Sequence, residues 1–315
     1  MEALAVVFDQ PETLSLRRLP LTAAAETDVV VQVDYTSISA GTERMFWRGR
    51  MPPFPGFGYP LVPGYEAVGR VIQAGATSGR SEGELVFVPG SSCFDGVRGL
   101  FGAAASRLVV PGKRVIAIEE SLGERAVLLA LAATAYHGLV GPAAKRLPDL
   151  IIGHGTFGRL AARLVRAIDP SMHPVVWEKD PRRAAGADGY RVISAEQDER
   201  RDYGCIFEAS GDASLMEPMI GRLRKSGEIV LAGFYCDPIS FGFLSAFHKE
   251  IEMRITAEWG ANDLQAVTQL LKDGRLSFDG LITHQRDAQL ASEAYGMAFD
   301  DPNCIKMILD WRQSA

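Results

Sequence analysis

The sequence predicts an α/β chain in two parts: a mainly β N-terminal domain, then a doubly wound parallel sheet with helices on both faces. Three observations carry this. Up to about residue 118, short β-rich runs are separated by Gly and Pro. From about Leu122, strand and helix patterns alternate at the spacing of βαβ units. The first strand of that region runs into Gly-x-Gly-x-x-Gly and an amphipathic helix. At 315 residues and 47% hydrophobic content, the chain is long enough to bury two cores.

Taken in order, residues 4–8, 28–35, 66–73, 84–88 and 106–110 read as strands of a small, partly closed barrel. Residues 124–139 are Ala/Leu-rich and read as a helix. Strands follow at 150–152, 174–178, 191–194, 205–209 and 228–233, with a helix at 156–168 after the first. The tail reads as a helix from 262 to 271, a β-like stretch at 281–283, a helix ending near 299 and a final segment at 304–311. The expected domains are 1–120, 121–260, and a C-terminal segment 261–315 that returns to the first domain.

A net charge of −6 without an extended basic face argues against nucleic-acid binding. Cys93, Cys205, Cys236 and Cys304 are far apart, so neither a zinc ribbon nor a disulfide framework is indicated. The N-terminus lacks a signal-peptide pattern, and no apolar run reaches the roughly 18 residues of a membrane span. A cytoplasmic protein is expected.

Gly153-His154-Gly155-Thr156-Phe157-Gly158 follows a strand and opens a helix. Gly153 permits the turn, Gly155 lets a pyrophosphate approach the backbone, and Gly158 lets the helix pack against the strand. The helix N-terminus offers oriented N–H groups to the anion. Glu178 ends the next strand, where a carboxylate accepts hydrogen bonds from an adenosine ribose and repels a 2′-phosphate. NAD is therefore expected over NADP, although Lys179, Arg182 and Arg183 follow closely. Within the turn, His154 is expected to face the cofactor.

These features, with Pro63-Gly64-Tyr65-Glu66, Phe207-Glu208-Ala209-Ser210-Gly211 and Gly227 to Gly233, resemble the medium-chain dehydrogenase/reductase superfamily over essentially the whole chain. The resemblance implies a GroES-like catalytic domain beside a Rossmann domain. It also implies cofactor contacts from Ser210 and Gly211, and by analogy a homodimer through the edge of the parallel sheet. More narrowly, Ser39-Ala40-Gly41-Thr42-Glu43, Trp47 to Pro52 and Phe54 to Glu66 resemble the bacteriochlorophyllide hydroxyethyl dehydrogenases of photosynthetic bacteria. That likeness implies a tetrapyrrole substrate, oxidation of its 3-(1-hydroxyethyl) group to 3-acetyl, and NAD as acceptor.

Zinc-dependent relatives keep three ligands at positions that fall here on Ala40, Tyr65 and approximately Ala130, so catalytic zinc is not expected. The four-cysteine lobe of those relatives is also missing. Without zinc, the hydroxyl proton must pass to a positioned side chain as hydride leaves. Thr42 matches the hydroxyl residue of the relatives' proton relay; alternatively it is a turn threonine bonding its own backbone. Tyr65 either donates or relays a proton, or only fills the space left by the metal. Glu43 and Glu66 match carboxylates around the zinc; each is a candidate base of raised pKa, or pairs with an arginine and is purely structural. His137 stands where the family often has a histidine, though a lone helix histidine also packs structurally.

Residues 44–60 carry Phe46, Trp47, Phe54, Phe57 and Tyr59 within seventeen positions, with Pro and Gly excluding a regular helix or central strand. Such a stiff aromatic loop suits a large planar ligand, and Arg44, Arg48 and Arg50 suit a chlorophyllide propionate. The competing reading folds the aromatics into the β core and leaves the arginines solvated. Two other functions stay open: a zinc-free enoyl or quinone reductase, and a pigment carrier, which would need no nucleotide turn.

Overall fold

The computed structural model describes residues 1–314. It divides into two compact units: Met1–Ala130 with the chain from Leu281 onward, and Leu131–Gly280.

In the first unit, β1 (Glu2–Gln10), β2 (Thr13–Pro20), β3 (Asp28–Ile38), β4 (Leu61–Val62), β5 (Ala67–Ala74), β6 (Leu85–Val88), β7 (Arg98–Gly99), β8 (Arg107–Pro111) and β9 (Ile116–Ala117) form two sheets rather than one barrel, with helix α1 (Thr42–Trp47) between β3 and β4 in the chain. One has the order β2-β1-β4-β7; the other is built on β3, β5, β6 and β9, with β8 also on β3. Val29, Val30, Val31, Val33 and Ile38 of β3 are all buried, because β-branched side chains suit a strand covered on both faces. Strand β2 is absent from the sequence reading. It lies at a sheet edge, and its run of half-buried residues from Leu14 to Arg17 blurs the alternation.

The second unit begins within α2 (Leu129–Val140). It continues through β10 (Leu150–Ile152), α3 (Thr156–Ile168), β11 (Val175–Trp177), β12 (Arg191–Ile193), β13 (Tyr203–Glu208), α4 (Met216–Arg222), β14 (Leu223–Leu231), α5 (Phe243–Lys249), β15 (Glu252–Ile255) and α6 (Ala261–Lys272). Its six strands are all parallel, in the order β12-β11-β10-β13-β14-β15. The single helix expected at 124–139 is a 3₁₀ run, Glu120–Leu128, leading into α2. Gly123, at φ 52°, interrupts the helical geometry.

The chain then returns to the first unit as β16 (His284–Asp287), α7 (Ala291–Asp300) and β17 (Met307–Asp310). Strand β17 pairs antiparallel with β3, Met307 opposite Ile38, and Trp311 is fully buried with its indole N–H on Thr36 Oγ1 at 2.8 Å. The expected junctions at 120 and 260 fall at 130 and 280. The 261–280 stretch stays with the second unit because Arg163 on α3 donates to the carbonyls of Ser277 and Asp279, both at 2.9 Å. Residues 281–283 are not a strand; pairing starts at His284.

Candidate active site

In the second unit, the glycine turn joins β10 to α3. Gly153 has φ 97°, and a Cβ at Gly158 would lie 1.8 Å from the Gly153 carbonyl oxygen, so only glycine fits there. A Cβ at Gly155 would meet nothing within 4 Å. That glycine is not demanded by internal packing; it borders open space at the N-cap of α3, where no side chain caps the helix. Thr156 and Phe157 start the helix half-buried. This open, uncapped turn fits a pyrophosphate.

Glu178 braces the turn from the end of the next strand, accepting from His154 N at 3.0 Å and Asp180 N at 2.9 Å. Lys179 beside it is exposed. The His154 side chain does not face the turn's open side, contrary to the sequence expectation. It is fully buried, with Nδ1 at 2.7 Å from the Arg183 carbonyl and Nε2 at 2.9 Å from Tyr190 Oη. Burial and the Arg159 guanidinium push its pKa down to about 4, so it packs as a neutral ring. Ser210 and Gly211 follow β13, next to Gly153, and their N–H groups bond the buried Glu208 carboxylate. Burial holds Glu208 above its ordinary pKa despite those bonds.

His137 lies on α2 with Nδ1 at 2.9 Å from Asp263 Oδ2, the oxygen that also accepts from Gly260 N at the start of α6. Its visible role is to tie two helices together.

In the first unit, the altered motifs meet at the ends of β3 and β5. The Tyr65 phenol donates to Ser39 Oγ at 2.8 Å and lies near the Thr42 hydroxyl, which acts to lower its pKa. Burial, then the Glu66 and Glu43 carboxylates, hold the phenol well above its ordinary range, so Tyr65 keeps its proton. Glu43 is 1% exposed; one oxygen accepts from Ser39 N at 2.9 Å and the other from Tyr295 Oη at 2.8 Å. Burial pushes its carboxyl up to about 7, against the lowering influence of Ser39 N, Tyr295 and Lys306. Glu66, also 1% exposed, forms an ion pair with Lys306 and accepts from Ser37 Oγ. The sequence reading offered an arginine as partner for this carboxylate; the partner present is Lys306, brought in by the C-terminal segment. Among the described residues, no group of three His, Cys, Asp or Glu side chains converges to hold a metal ion.

The aromatic stretch is not all loop: its first residues belong to helix α1. Phe46 is fully buried, which corrects its expected place on a ligand-facing surface. Trp47 packs on Phe8, with ring centroids 5.5 Å apart. Phe54 and Phe57 stack at 5.5 Å, Tyr59 meets Phe57 edge-on at 5.6 Å, and all three are half-buried. Phe101 joins this group to Tyr65, edge-on at 5.8 Å, and remains 37% exposed. Arg48 is engaged by Glu12 at 2.7 Å and Asp300 at 3.1 Å, whereas Arg44 is exposed.

Residues 25–120 match the alcohol dehydrogenase GroES-like domain. Over 315 residues the chain is 51% identical to the 2-desacetyl-2-hydroxyethyl bacteriochlorophyllide A dehydrogenase of Rhodobacter capsulatus, with 100% of both chains covered. It is likewise 51% identical to the protein of that name from Cereibacter sphaeroides, again with 100% of both covered. The chain belongs to this bacteriochlorophyllide dehydrogenase family. The fold is also that of an Escherichia coli CFT073 alcohol dehydrogenase complexed with the cofactor NADH, at TM-score 0.79 and 22% identity over 98% of this chain and 99% of that one.

In this family member, sequence reading missed Ser39, Phe101, Tyr295 and Lys306 around the altered motifs. Ser39 stood inside a quoted motif with no role assigned to it. Tyr295 and Lys306 are separated from the residues they bond by 252 and 240 positions, and no local pattern announces such contacts.

Proposed function

We propose that this dehydrogenase oxidises the 3-(1-hydroxyethyl) group of a bacteriochlorophyllide to 3-acetyl, using NAD and no catalytic zinc, late in bacteriochlorophyll a synthesis in the cytoplasm. The observation that carries the reading is 51% identity over the whole chain to two enzymes named for dehydrogenating a hydroxyethyl bacteriochlorophyllide. NAD is favoured because Glu178 puts a carboxylate beside the glycine turn, where a 2′-phosphate would be repelled. Gly153, Gly155, Thr156, Phe157, Gly158, Ser210 and Gly211 would hold the cofactor, which when bound accepts the hydride.

The proton is the work of the hydroxyl cluster. Thr42 receives it from the substrate hydroxyl and hands its own to the Tyr65 oxygen, Tyr65 passes one on to Ser39 along the 2.8 Å bond, and Ser39 releases its own to water, so that one proton leaves for each hydride transferred. Each group accepts as it donates, so the phenol never needs to ionise. A zinc-free route is supported by Ala40, Tyr65 and Ala130 at the relatives' ligand positions. The half-buried Phe54, Phe57 and Tyr59, with exposed Phe101, supply an aromatic surface for the macrocycle, and Arg44 a cation for its propionate. A homodimer is supported by the open edge of β15, where Met253 and Ile255 are 38% and 79% exposed.

The test is anaerobic incubation with NAD and 3-(1-hydroxyethyl) bacteriochlorophyllide, followed by absorbance. A red shift of the long-wavelength band reports the 3-acetyl product. Tight pigment binding without a shift sinks the enzyme reading, and faster turnover with NADP than with NAD sinks the assignment of Glu178. Thr42→Ala and Tyr65→Phe should lower turnover more than pigment affinity. Activity lost on chelation and restored by zinc would refute the zinc-free route.

A further inference from the structure

The C-terminal segment carries two polar side chains, Tyr295 and Lys306, into the interior of the first unit, where they are 1% and 2% exposed. Burying a phenol or an ammonium is unfavourable unless each is bonded. Both are bonded to carboxylates of the altered motifs. Tyr295 donates to Glu43 Oε2 at 2.8 Å, its ring held edge-on by Phe8 at 5.2 Å and Phe299 at 5.7 Å. Lys306 donates to Glu66 Oε2.

The strand registers explain how residues so distant in sequence meet. Met307 lies opposite Ile38, so Lys306 stands level with Ser39; Ala67 lies opposite Thr36, so Glu66 stands level with Ser37. Each carboxylate is thus gripped from two sides. Glu43 is held by Tyr295 and by Ser39 N, and Glu66 by Lys306 and by Ser37 Oγ. Glu66 Oε1 is buried without a hydrogen-bond partner, so the Oε2 contacts alone orient that carboxylate. The hydroxyl cluster Ser39, Thr42 and Tyr65 is built on these same motifs: Ser39 bonds Glu43, and Tyr65 is bound in sequence to Glu66.

We propose that Tyr295 and Lys306 are positioning residues: acting through Glu43 and Glu66, they fix the geometry of the Thr42, Tyr65 and Ser39 relay, an ordering that relatives obtain from a metal. This rests on the reaction proposed above. Glu43 and Glu66 then serve as struts of the relay and not as its base.

Two variants test it. Tyr295→Phe removes one hydroxyl and keeps the ring packing. Lys306→Met combined with Glu66→Gln removes the ion pair without leaving a lone buried charge. Each is compared with wild type for kcat, for KM toward NAD, for melting temperature, and for amide hydrogen exchange across residues 37–47. Both should lower kcat by about tenfold or more, since small misplacements of reacting groups cost that much. KM for NAD should not change, and exchange should quicken at Ser39 and Glu43 while the rest of the unit stays protected. Wild-type kcat in Tyr295→Phe overturns the proposal. So does a loss of kcat accompanied by uniformly faster exchange throughout the unit, which marks a merely structural role. If the double variant does not fold, Tyr295→Phe decides. If wild type itself fails to oxidise the pigment, the reaction reading falls, and unchanged exchange at residues 37–47 in Tyr295→Phe would independently sink the positioning role.

Discussion

The glycine turn of the second unit and the hydroxyl cluster of the first are built on opposite plans. The turn takes nearly all of its geometry from six consecutive residues, where backbone conformation and the absence of Cβ atoms are decisive. The cluster takes its geometry from β3, β5 and a C-terminal segment that arrives some 240 positions later, held by two buried carboxylates. A site written in backbone conformation withstands changes elsewhere in the chain. A site held by buried polar groups depends on every partner being present.

Single substitutions should separate the two plans. The largest effect is expected for Lys306→Met, which strands Glu66 as an uncompensated buried charge; it should destabilise the protein by about 3–5 kcal/mol in urea unfolding, with Glu66→Gln restoring most of the loss. If Lys306→Met is nearly neutral, the cluster is not held by charge.

Next comes a pH effect. The Glu43 carboxyl is raised from 4.5 to about 7, so its neutral form is the one the fold favours. Its contribution to stability is present in full below about pH 4.5 and is lost as pH rises through about 7. Relative to Glu43→Gln, wild type should therefore lose about 3 kcal/mol across that window. A stability difference that stays flat with pH would show that Glu43 is not held in its neutral form.

On the local plan, Gly158→Ala forces a Cβ onto the Gly153 carbonyl. It should cost about 1–3 kcal/mol and weaken NADH binding in a fluorescence titration, while the hydroxyl cluster stays intact. The smallest effect is expected for Arg48→Ala. Its pairs with Glu12 and Asp300 lie at the surface, so thermal unfolding should report a change within about 1 kcal/mol.

The same contrast explains what could be read in advance. The turn at Gly153, Gly155 and Gly158, with Glu178 at the end of the next strand, was legible because a glycine turn between strand and helix has a fixed spacing within one βαβ unit. His154 was misread because spacing places the backbone but says nothing of the direction of a side chain, and this one turns inward to Arg183 and Tyr190. Phe46 was misread for a related reason: aromatic content does not distinguish a residue that covers a ligand from one that closes a core.

The sequence by itself determined the two-part α/β organisation and the glycine turn between strand and helix, since each follows from local periodicity or from residue types within short motifs. Only the tertiary structure decided that Ser39 completes the hydroxyl cluster, that Glu66 has a lysine partner, and that Tyr295 bonds Glu43. The first contact is set by the pairing of β3 with β5, the other two by the pairing of β17 with β3 and the docking of α7, and strand register between distant segments leaves no trace in local sequence.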